Sequence, residues 1–422
     1  MLAALRKRFA QKGILQNVGV LMMGTVGAHV ITVVAMPITT RIYAPEDFSI
    51  LAVYSSILTI LCTLTTMSLH IGVPLAATEK KALGLLVLSG VMLLSFCGVV
   101  ALVLWLGYDM ILTWLARPDL GPYLWLVVPG LFFAGIYVAL QMWFSRQQEF
   151  PLIAWTRVTR SVGGSGTQLS LGAAGFGPIG LILGHMLYQG LGSLLLLRRM
   201  LQRQTFSLRL LTRQDLASAL TENKKYIFLT TPENLMNMAA IQLPVIAIAA
   251  TPVVGEAGHL YLAIQILALP MMLIGSSVAQ VFLAHAGERY RQGDLYPFMI
   301  KILRGLTLTG ATSLTVIGLL APFLAVPILG TDWQETGNLI AWMTPGVILQ
   351  LLANPISTVF YVVEKQALAM WIQAFGLVIR VGAVLAAISL YPQYAMETYA
   401  VANFLSYALT LALALISARR LK

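Results

Sequence analysis

Residues 37–48 read PITTRIYAPEDF, a short polar stretch between two long apolar runs. The run before it is NVGVLMMGTVGAHVITVVAM (17–36), and the run after it is SILAVYSSILTILCTLTTMSL (49–69). About 20 apolar residues are enough for a helix to cross the hydrocarbon core of a bilayer. The stretch therefore predicts two membrane helices that are joined by a polar turn.

The composition extends this interpretation to the whole chain. Hydrophobic residues make up 58% of the sequence and charged residues only 10%, whereas a soluble domain carries about 25% charged residues. Too few polar groups are present to cover a soluble protein of this size. The two cysteines, Cys62 and Cys97, fall in separate apolar runs and predict neither a disulfide nor a metal site.

Apolar runs of sufficient length recur about twelve times, and their continuity favours helices over the short alternating segments of a β-barrel. We expect an all-α polytopic membrane protein with two six-helix bundles related by a pseudo-two-fold axis along the membrane normal. The predicted spans are 14–36, 48–70, 82–106, 122–144, 152–174, 177–197, 226–250, 259–283, 301–323, 336–362, 367–390 and 396–418.

The basic residues fix the expected orientation. If the N-terminus is cytoplasmic and the spans alternate, 22 of the 27 lysines and arginines fall in cytoplasmic segments. Only Arg41 and Arg117 fall in the opposite loops. This bias follows the positive-inside rule, predicts that both termini are cytoplasmic, and accounts for the net charge of +11 without a nucleic-acid partner.

A basic connector at residues 201–224 divides the chain into an N-terminal bundle (1–200) and a C-terminal bundle (225–422). Weak internal similarity supports a repeat, for example Trp155 in LIAW and Trp371 in LAMW. Parallel repeats occur in transporters whose binding site lies between the halves near the midplane. The alternative is that apolar helices resemble one another through composition alone.

Three arginines fall inside apolar spans, where a charge is costly unless it faces a cavity or a partner. Arg157 and Arg160 share one face of the fifth span, and Arg380 lies in the eleventh. We expect these guanidinium groups to converge on a phosphate or diphosphate, with Asn354 as a further substrate-binding candidate. The alternative is that the arginines are interfacial anchors or pair with helix carbonyls.

Glu233 is the one acid deep in a span, and Asn234 and Asn237 lie near it on the same helix. Pro232 and Pro244 are expected to break this helix and free carbonyl groups as ligands. The pattern predicts a site for Na⁺ or H⁺ that couples transport to an ion gradient, with no other cofactor. The alternative is a structural partner for one of the arginines.

The segment PITTRIYAPEDFSILAVYSSI resembles the P-x-x-T-R-x-Y-x-P-x-x-[FY] signature of Wzx-type O-antigen and capsule flippases in the multidrug/oligosaccharidyl-lipid/polysaccharide (MOP) exporter superfamily. MWFSRQQEFPLIAWTRVTRS resembles the family's segment between spans four and five. The resemblance implies a non-enzymatic flippase of the bacterial inner membrane. Such a protein moves undecaprenyl-diphosphate-linked oligosaccharide by alternating access, in contact with membrane lipid and other polysaccharide-assembly proteins.

The resemblance also places the opening stretch at the outer mouth of the cavity. Pro37 and Pro45 are expected to shape the turn, and Arg41 to pair with Glu46 or Asp47 as an outer gate. The alternative is an ordinary helix-capping turn in which the two acids begin the second span.

Two other functions are weighed against this one. A MATE-like cation-coupled drug antiporter predicts an acidic cavity, whereas the deep charges are three arginines and one glutamate. A membrane glycan polymerase or ligase predicts a substantial outer loop with paired polar residues, and the sequence contains none.

Overall fold

A computed structural model describes residues 2–202, 211–253, 255–363 and 365–419. Every regular element in these ranges is helical. The longer helices in chain order are α1 (Leu2–Ile42), α2 (Pro45–Thr65), α3 (Glu79–Leu115), α4 (Val127–Arg146), α5 (Phe150–Ala173), α6 (Pro178–Gln202), α7 (Arg213–Glu222), α8 (Thr231–Ala249), α9 (Glu256–Pro270), α10 (Ser276–Arg291), α11 (Leu295–Leu306), α12 (Thr312–Leu329), α13 (Gln334–Ile356), α14 (Gln366–Leu390) and α15 (Ala395–Arg419).

Three single turns of wider π-helix continue directly into the helix that follows them. They are Tyr226–Thr230 before α8, Met271–Gly275 between α9 and α10, and Thr307–Ala311 between α11 and α12. Because the helical path continues through each turn, the long segments 226–249, 256–291 and 295–329 each have the length of a membrane-spanning element.

Ten helical segments within the described residues are long and apolar enough to cross a membrane. Helix α5 and the segment 226–249 are of similar length but are not among the ten. These two segments carry the predicted site residues Arg157, Arg160 and Glu233, whose polarity lowers the mean hydropathy. All twelve sequence-predicted spans thus coincide with long helices, and the expected all-α polytopic fold is confirmed.

Large apolar side chains lie exposed along several helices. Trp114 in α3 is 84% exposed and Phe323 in α12 is 78% exposed. Such surface is unfavourable in water and favourable against lipid. The chain is therefore a multi-pass membrane protein.

The chain forms two compact units. The first unit contains Met1–Ile42 and Ile57–Leu235, and the second contains Tyr43–Ser56 and Met236–Lys422. The predicted division at residues 200 and 225 stays a prediction, and part of its connector, 203–210, lies outside the described residues.

The first unit has its core among α3, α4, α6 and α7, where Leu85, Phe144 and Leu196 are buried. Helix α7 is fixed to the start of α3 by ion pairs at 2.9 Å (Lys80 Nζ to Asp215 Oδ2) and 2.7 Å (Lys81 Nζ to Glu222 Oε2). Helix α5, which carries two of the predicted arginines, packs against α1 on one side and α6 on the other.

The second unit is organised around α13, which packs against α12 and α15. Helix α14 also packs against α15. A core of buried residues in this unit includes Phe282, Met299 and Phe360. This arrangement places α14, the helix that carries Arg380, directly against α15.

The prolines that were expected to interrupt helices lie within them. Pro37 is inside α1, which continues to Ile42, and Pro244 is inside α8. The expectations that Pro37 shapes the turn and that Pro244 breaks its helix are therefore wrong. The physical reason is that an unsatisfied backbone group is very costly in lipid, so a membrane helix tolerates one lost hydrogen bond rather than unwinding.

Candidate functional site

Arg160 lies near the middle of α5 with only 8% of its surface exposed. Its guanidinium carbon lies 3.8 Å from the ring centroid of Tyr137 and 4.2 Å from that of Tyr188. Its Nε donates to the backbone oxygen of Tyr188 at 2.7 Å, and Nη2 donates to Oε1 of Gln189. The cation is thus enclosed by two aromatic faces and by acceptors from α6, which is an arrangement that stabilises charge in a low dielectric.

A glycine on α6 makes this enclosure possible. A Cβ atom at Gly192 would lie 2.5 Å from Cδ of Arg160 and 2.6 Å from Cε2 of Tyr137. Separations below 3.0 Å require one of the groups to move. The absence of a side chain at residue 192 therefore lets Arg160 and Tyr137 pack directly on the α6 backbone.

Arg157, one turn earlier on α5, is half-buried. Its Nη1 donates to the Thr25 hydroxyl on α1, so the two predicted arginines of α5 turn towards different neighbouring helices. Arg157 contacts α1, whereas Arg160 contacts α4 and α6. Within the first unit, the two guanidinium groups therefore have separate surroundings.

Arg380 lies on α14 in the second unit and is 2% exposed. Its guanidinium carbon lies 4.6 Å from the ring centroid of Tyr407 on α15. The Tyr407 hydroxyl interacts with Arg380 and with Gln350 of α13. Nε of Arg380 is buried and has no hydrogen-bond partner among the described residues. Since an unpaired buried donor costs about 1–3 kcal/mol, and more when it is charged, this atom is a place where a ligand acceptor would be favourable.

A cavity of about 220 Å³ lies in the second unit, and Tyr407, whose ring contacts Arg380, is one of its lining residues. Three of its polar lining residues, Tyr399, Asn403 and Tyr407, recur every four positions and so share one face of α15. Gln350 adds a fourth polar group from α13. The remaining wall is apolar and consists of Ile241, Ile264, Leu267, Ala268, Met271, Met272, Met343 and Val347.

The predicted substrate-binding residues are thus distributed over both units. Arg157 and Arg160 belong to the first unit, and Arg380 and Asn354 to the second. Asn354 lies exposed near the end of α13 and does not line the cavity. Convergence of the arginines on one substrate stays a prediction.

The predicted ion-coupling residues lie at the start of α8, and all three are half-buried. Glu233 and Asn234 fall in the first unit, whereas Asn237 falls in the second. The coupling role of these side chains stays a prediction.

The turn between α1 and α2, which was expected to face outward, is shorter than the sequence predicted. It consists of Tyr43 and Ala44 between α1 and α2. Asp47 Oδ2 accepts a hydrogen bond from the Ala44 backbone nitrogen at 3.1 Å, which is a helix-capping contact. The capping alternative therefore accounts for Asp47, whereas the gate between Arg41 and Glu46 or Asp47 stays a prediction.

Sequence reasoning missed the aromatic partners of the arginines and the polar wall of the cavity. A signal for the wall was present, because Tyr399, Asn403 and Tyr407 interrupt an apolar span at helical spacing. No comparable signal connected Tyr137 to Arg160, since the two residues lie on different helices.

The family model described as "Polysaccharide biosynthesis protein" matches residues 38–338. The chain belongs to this family. The matched range includes the opening turn, both arginines of α5 and six of the twelve residues that line the cavity, but it ends before Arg380 and the polar wall. No curated protein matches the chain at a significant level.

Solved structures of MOP-superfamily transporters and flippases share the fold. An inward-facing multidrug resistance MATE family transporter aligns with a TM-score of 0.72 and 15% identity over 93% of this chain and 95% of that chain. The lipid II flippase MurJ in an inward closed conformation aligns with a TM-score of 0.73 and 12% identity over 93% and 86%. A MOP superfamily transporter from Pyrococcus furiosus, described as having a binding pocket of reversed polarity, aligns with a TM-score of 0.60 and 13% identity over 97% and 96%.

Proposed function

We propose that this chain flips a lipid-diphosphate-linked oligosaccharide, in which the lipid is undecaprenol, from the cytoplasmic to the outer leaflet of the bacterial inner membrane. The product would serve O-antigen, capsule or exopolysaccharide synthesis. Membership of the polysaccharide biosynthesis family and the MOP fold support this class of function. The distribution of basic residues supports an orientation with both termini cytoplasmic.

The observation that carries the proposal is Arg380, a fully buried guanidinium with an unpaired Nε. A buried cation is stable only when an opposite charge or hydrogen-bond acceptors compensate it. No carboxylate forms an ion pair with Arg380 within the described residues. A diphosphate supplies both the charge and the acceptors, and the planar guanidinium fork matches its oxygens.

The two units would move the substrate by alternating access. In this proposal Arg380 holds the diphosphate. Arg157 and Arg160 add long-range positive potential from the first unit, and Arg160 does so without contacting the substrate, because its own unit encloses it. The sugars would pass through a water-filled pathway in the protein, and the polyprenyl tail would stay in the bilayer. Neutralising the diphosphate is essential, because transferring its bare charges into a low dielectric is costly.

The experiment uses a strain that lacks the chromosomal copy of the gene and carries it on a plasmid. The wild-type protein is expected to restore surface polysaccharide. Without the protein, lipid-linked oligosaccharide is expected to remain on the cytoplasmic leaflet. Arg380→Gln is expected to lower surface polysaccharide. Arg304→Gln provides the matched control, because Arg304 is an exposed arginine on α11 and its loss is expected to leave export unchanged. Normal surface polysaccharide without the protein, or export of cationic drugs in its presence, would contradict the proposal and favour the antiporter alternative.

Glu233 is the proposed coupling residue for Na⁺ or H⁺. In proteoliposomes, wild-type translocation is expected to accelerate when one of these gradients is imposed. Glu233→Gln is expected to remove that acceleration and leave the rate without a gradient unchanged. An unaltered response to the gradient in the variant would exclude the coupling role.

A further inference from the structure

Two pairs of consecutive lysines near helix α7 differ in their partners. Lys80 and Lys81 form ion pairs with carboxylates of α7. Lys224 and Lys225 follow α7 in the chain, are both exposed, and form no ion pair within the described residues. Because two adjacent ammonium groups repel each other, an anion that contacts both of them relieves this repulsion.

The helix face that carries the second pair changes from charged to apolar within one turn. Phe228 lies four positions after Lys224, and Leu229 lies four positions after Lys225; their side chains are 71% and 66% exposed. Positions four apart are neighbours on a helix surface. Nζ of Lys225 also lies 5.4 Å from the ring centroid of Tyr226. Cationic, aromatic and aliphatic groups in this order are typical of a helix that passes from the headgroups into the acyl chains of a bilayer.

Contacts within the first unit hold the backbone beneath this face. A Cβ atom at Gly72 would lie 3.1 Å from Cε2 of Tyr226, so the absence of a side chain lets this ring pack against the turn Leu69–Gly72. The Thr231 hydroxyl donates to the Tyr226 backbone oxygen at 2.9 Å and lies 3.0 Å from Oγ of Ser68. Since Tyr226 is held in this way, the two lysines that precede it start from a defined position, which lowers the entropic cost of binding a ligand.

We propose that Lys224 and Lys225 bind the phosphate of an anionic phospholipid of the surrounding bilayer, and that Phe228 and Leu229 contact its acyl chains. The ligand is a lipid rather than a soluble anion because the charged and apolar groups form one continuous surface. It is anionic rather than zwitterionic because a zwitterionic headgroup would bring its own ammonium group close to two lysines. Phosphatidylglycerol is the simplest ligand of this class. The site does not depend on the proposed translocation of a glycan.

The test is native mass spectrometry of the purified full chain in detergent, titrated with one lipid at a time. The dissociation constant of the first bound lipid is measured for dioleoyl phosphatidylglycerol and for dioleoyl phosphatidylcholine. Phosphatidylglycerol is expected to bind about tenfold more tightly, because each lysine near an anionic headgroup strengthens binding severalfold. Equal constants for the two lipids would overturn the proposal.

A soluble probe distinguishes a lipid site from a general anion site. Glycerol 3-phosphate carries the charge without the acyl chains, and it is expected to bind at least about tenfold more weakly than phosphatidylglycerol. Binding of the two probes with the same affinity would show that the surface recognises a soluble phosphate, and the proposal would fail.

The lysine pair is tested by the double variant Lys224→Gln/Lys225→Gln. This variant is expected to weaken the binding of phosphatidylglycerol about tenfold and to leave that of phosphatidylcholine unchanged. Arg213→Gln/Arg291→Gln is the matched control, because both arginines are exposed and the same charge is removed. The control is expected to bind both lipids as wild type does. Unchanged binding in the lysine variant, or the same loss in the control, would show that the lysine pair is not the site.

The apolar part is tested by Phe228→Ala/Leu229→Ala. This variant is expected to weaken both lipids at least about threefold and to leave glycerol 3-phosphate unchanged. The matched control is Leu319→Ala/Phe323→Ala on α12, since these side chains are 67% and 78% exposed and no basic residue lies within four positions of them. The control is expected to leave the first binding constant unchanged. Wild-type lipid binding in Phe228→Ala/Leu229→Ala, or an equal loss in the control, would contradict the assignment.

Discussion

Arg160 and Arg380 are both buried in helices of an apolar membrane protein, but their surroundings differ. Arg160 lies between two tyrosine rings and donates to a backbone oxygen and to Gln189. Arg380 contacts one tyrosine ring and has a buried Nε without a partner among the described residues, and that tyrosine, Tyr407, also lines a cavity.

The difference shows that burial alone does not assign a function to a membrane arginine. Groups of the first unit compensate the charge of Arg160. This is expected for a residue whose role is to hold α4, α5 and α6 together. The charge of Arg380 is compensated only in part by the protein. This is expected for an anion-binding residue without its ligand, because the anion supplies the remaining compensation. Variants of the two residues are therefore expected to fail in different ways.

The largest expected effect is on export in Arg380→Gln. Removing one partner of a buried charge pair costs about 2–5 kcal/mol, so surface polysaccharide is expected to fall at least tenfold at equal protein level. Arg380→Lys keeps the charge but cannot form a two-pronged contact, and an intermediate level is expected. Quantitative immunoblotting of surface polysaccharide checks both variants. Wild-type export in Arg380→Gln would remove the distinction between the two arginines.

The next effect is on stability in Arg160→Gln. This variant loses charge-assisted hydrogen bonds and two cation–π contacts, and a loss of about 3 kcal/mol in the free energy of unfolding is expected. Arg380→Gln is the matched control, and its stability is expected to stay within about 1 kcal/mol of wild type, because the arginine it removes is incompletely paired. Denaturant titrations of both purified proteins give the values. Equal destabilisation of the two variants would show that the arginines have similar structural roles.

A smaller effect on stability is expected when one methyl group is added beside each arginine. Gly192→Ala places Cβ against Arg160 and Tyr137 at 2.5–2.6 Å, and overpacking of this kind costs about 1–3 kcal/mol. Gly376→Ala meets the Ser406 hydroxyl at 2.8 Å and Nη1 of Arg380 at 3.4 Å. Because a hydroxyl rotates easily, a cost below about 1 kcal/mol is expected. Thermal unfolding of the two variants in the same detergent compares them, and a larger loss in Gly376→Ala would reverse the expected packing difference.

The smallest effect is a local loss of stability in α7, and it is expected at Asp215, outside both arginine sites. The Lys80 ammonium and the Thr212 cap lower the pKa of this carboxyl to about 2. Since the folded pKa lies below the unfolded value of 3.8, the stabilisation is complete above about pH 4 and is lost as the pH falls through 2. Asp215→Asn is expected to increase hydrogen exchange only in α7. Altered exchange in α5 or α14 would show that this surface contact influences the arginine sites.

The membrane spans were predictable from the sequence because hydropathy over twenty residues reflects one physical requirement. Polar residues lowered the hydropathy of α5 and of segment 226–249, but their length and position between clear spans still identified them. Pro37 misled the prediction of the turn, because the rule that proline ends a helix holds best in water. Inside a bilayer, the cost of exposing further backbone groups keeps the helix intact past the proline.

The arginines were predictable for a related reason, since a charge in an apolar run is conspicuous. Their partners were not predictable. Tyr188 lies 28 residues from Arg160, and no local pattern connects them. Tyr407, Gln350 and the cavity depend on how α13, α14 and α15 pack, and side-chain packing between helices leaves no signature in a single sequence. The sequence therefore indicated which residues carry a charge that must be compensated, but it did not indicate which groups compensate that charge.

The most direct test of the difference between the two arginines is the initial rate at which reconstituted protein translocates a lipid-diphosphate-linked oligosaccharide. The rate is measured for wild type, Arg380→Gln and the exposed control Arg304→Gln, at equal protein content in the same liposomes. We expect at least a tenfold lower rate for Arg380→Gln, although its stability stays within about 1 kcal/mol of wild type. We expect a wild-type rate for Arg304→Gln. A wild-type rate for Arg380→Gln would contradict the claim that this guanidinium recognises the diphosphate.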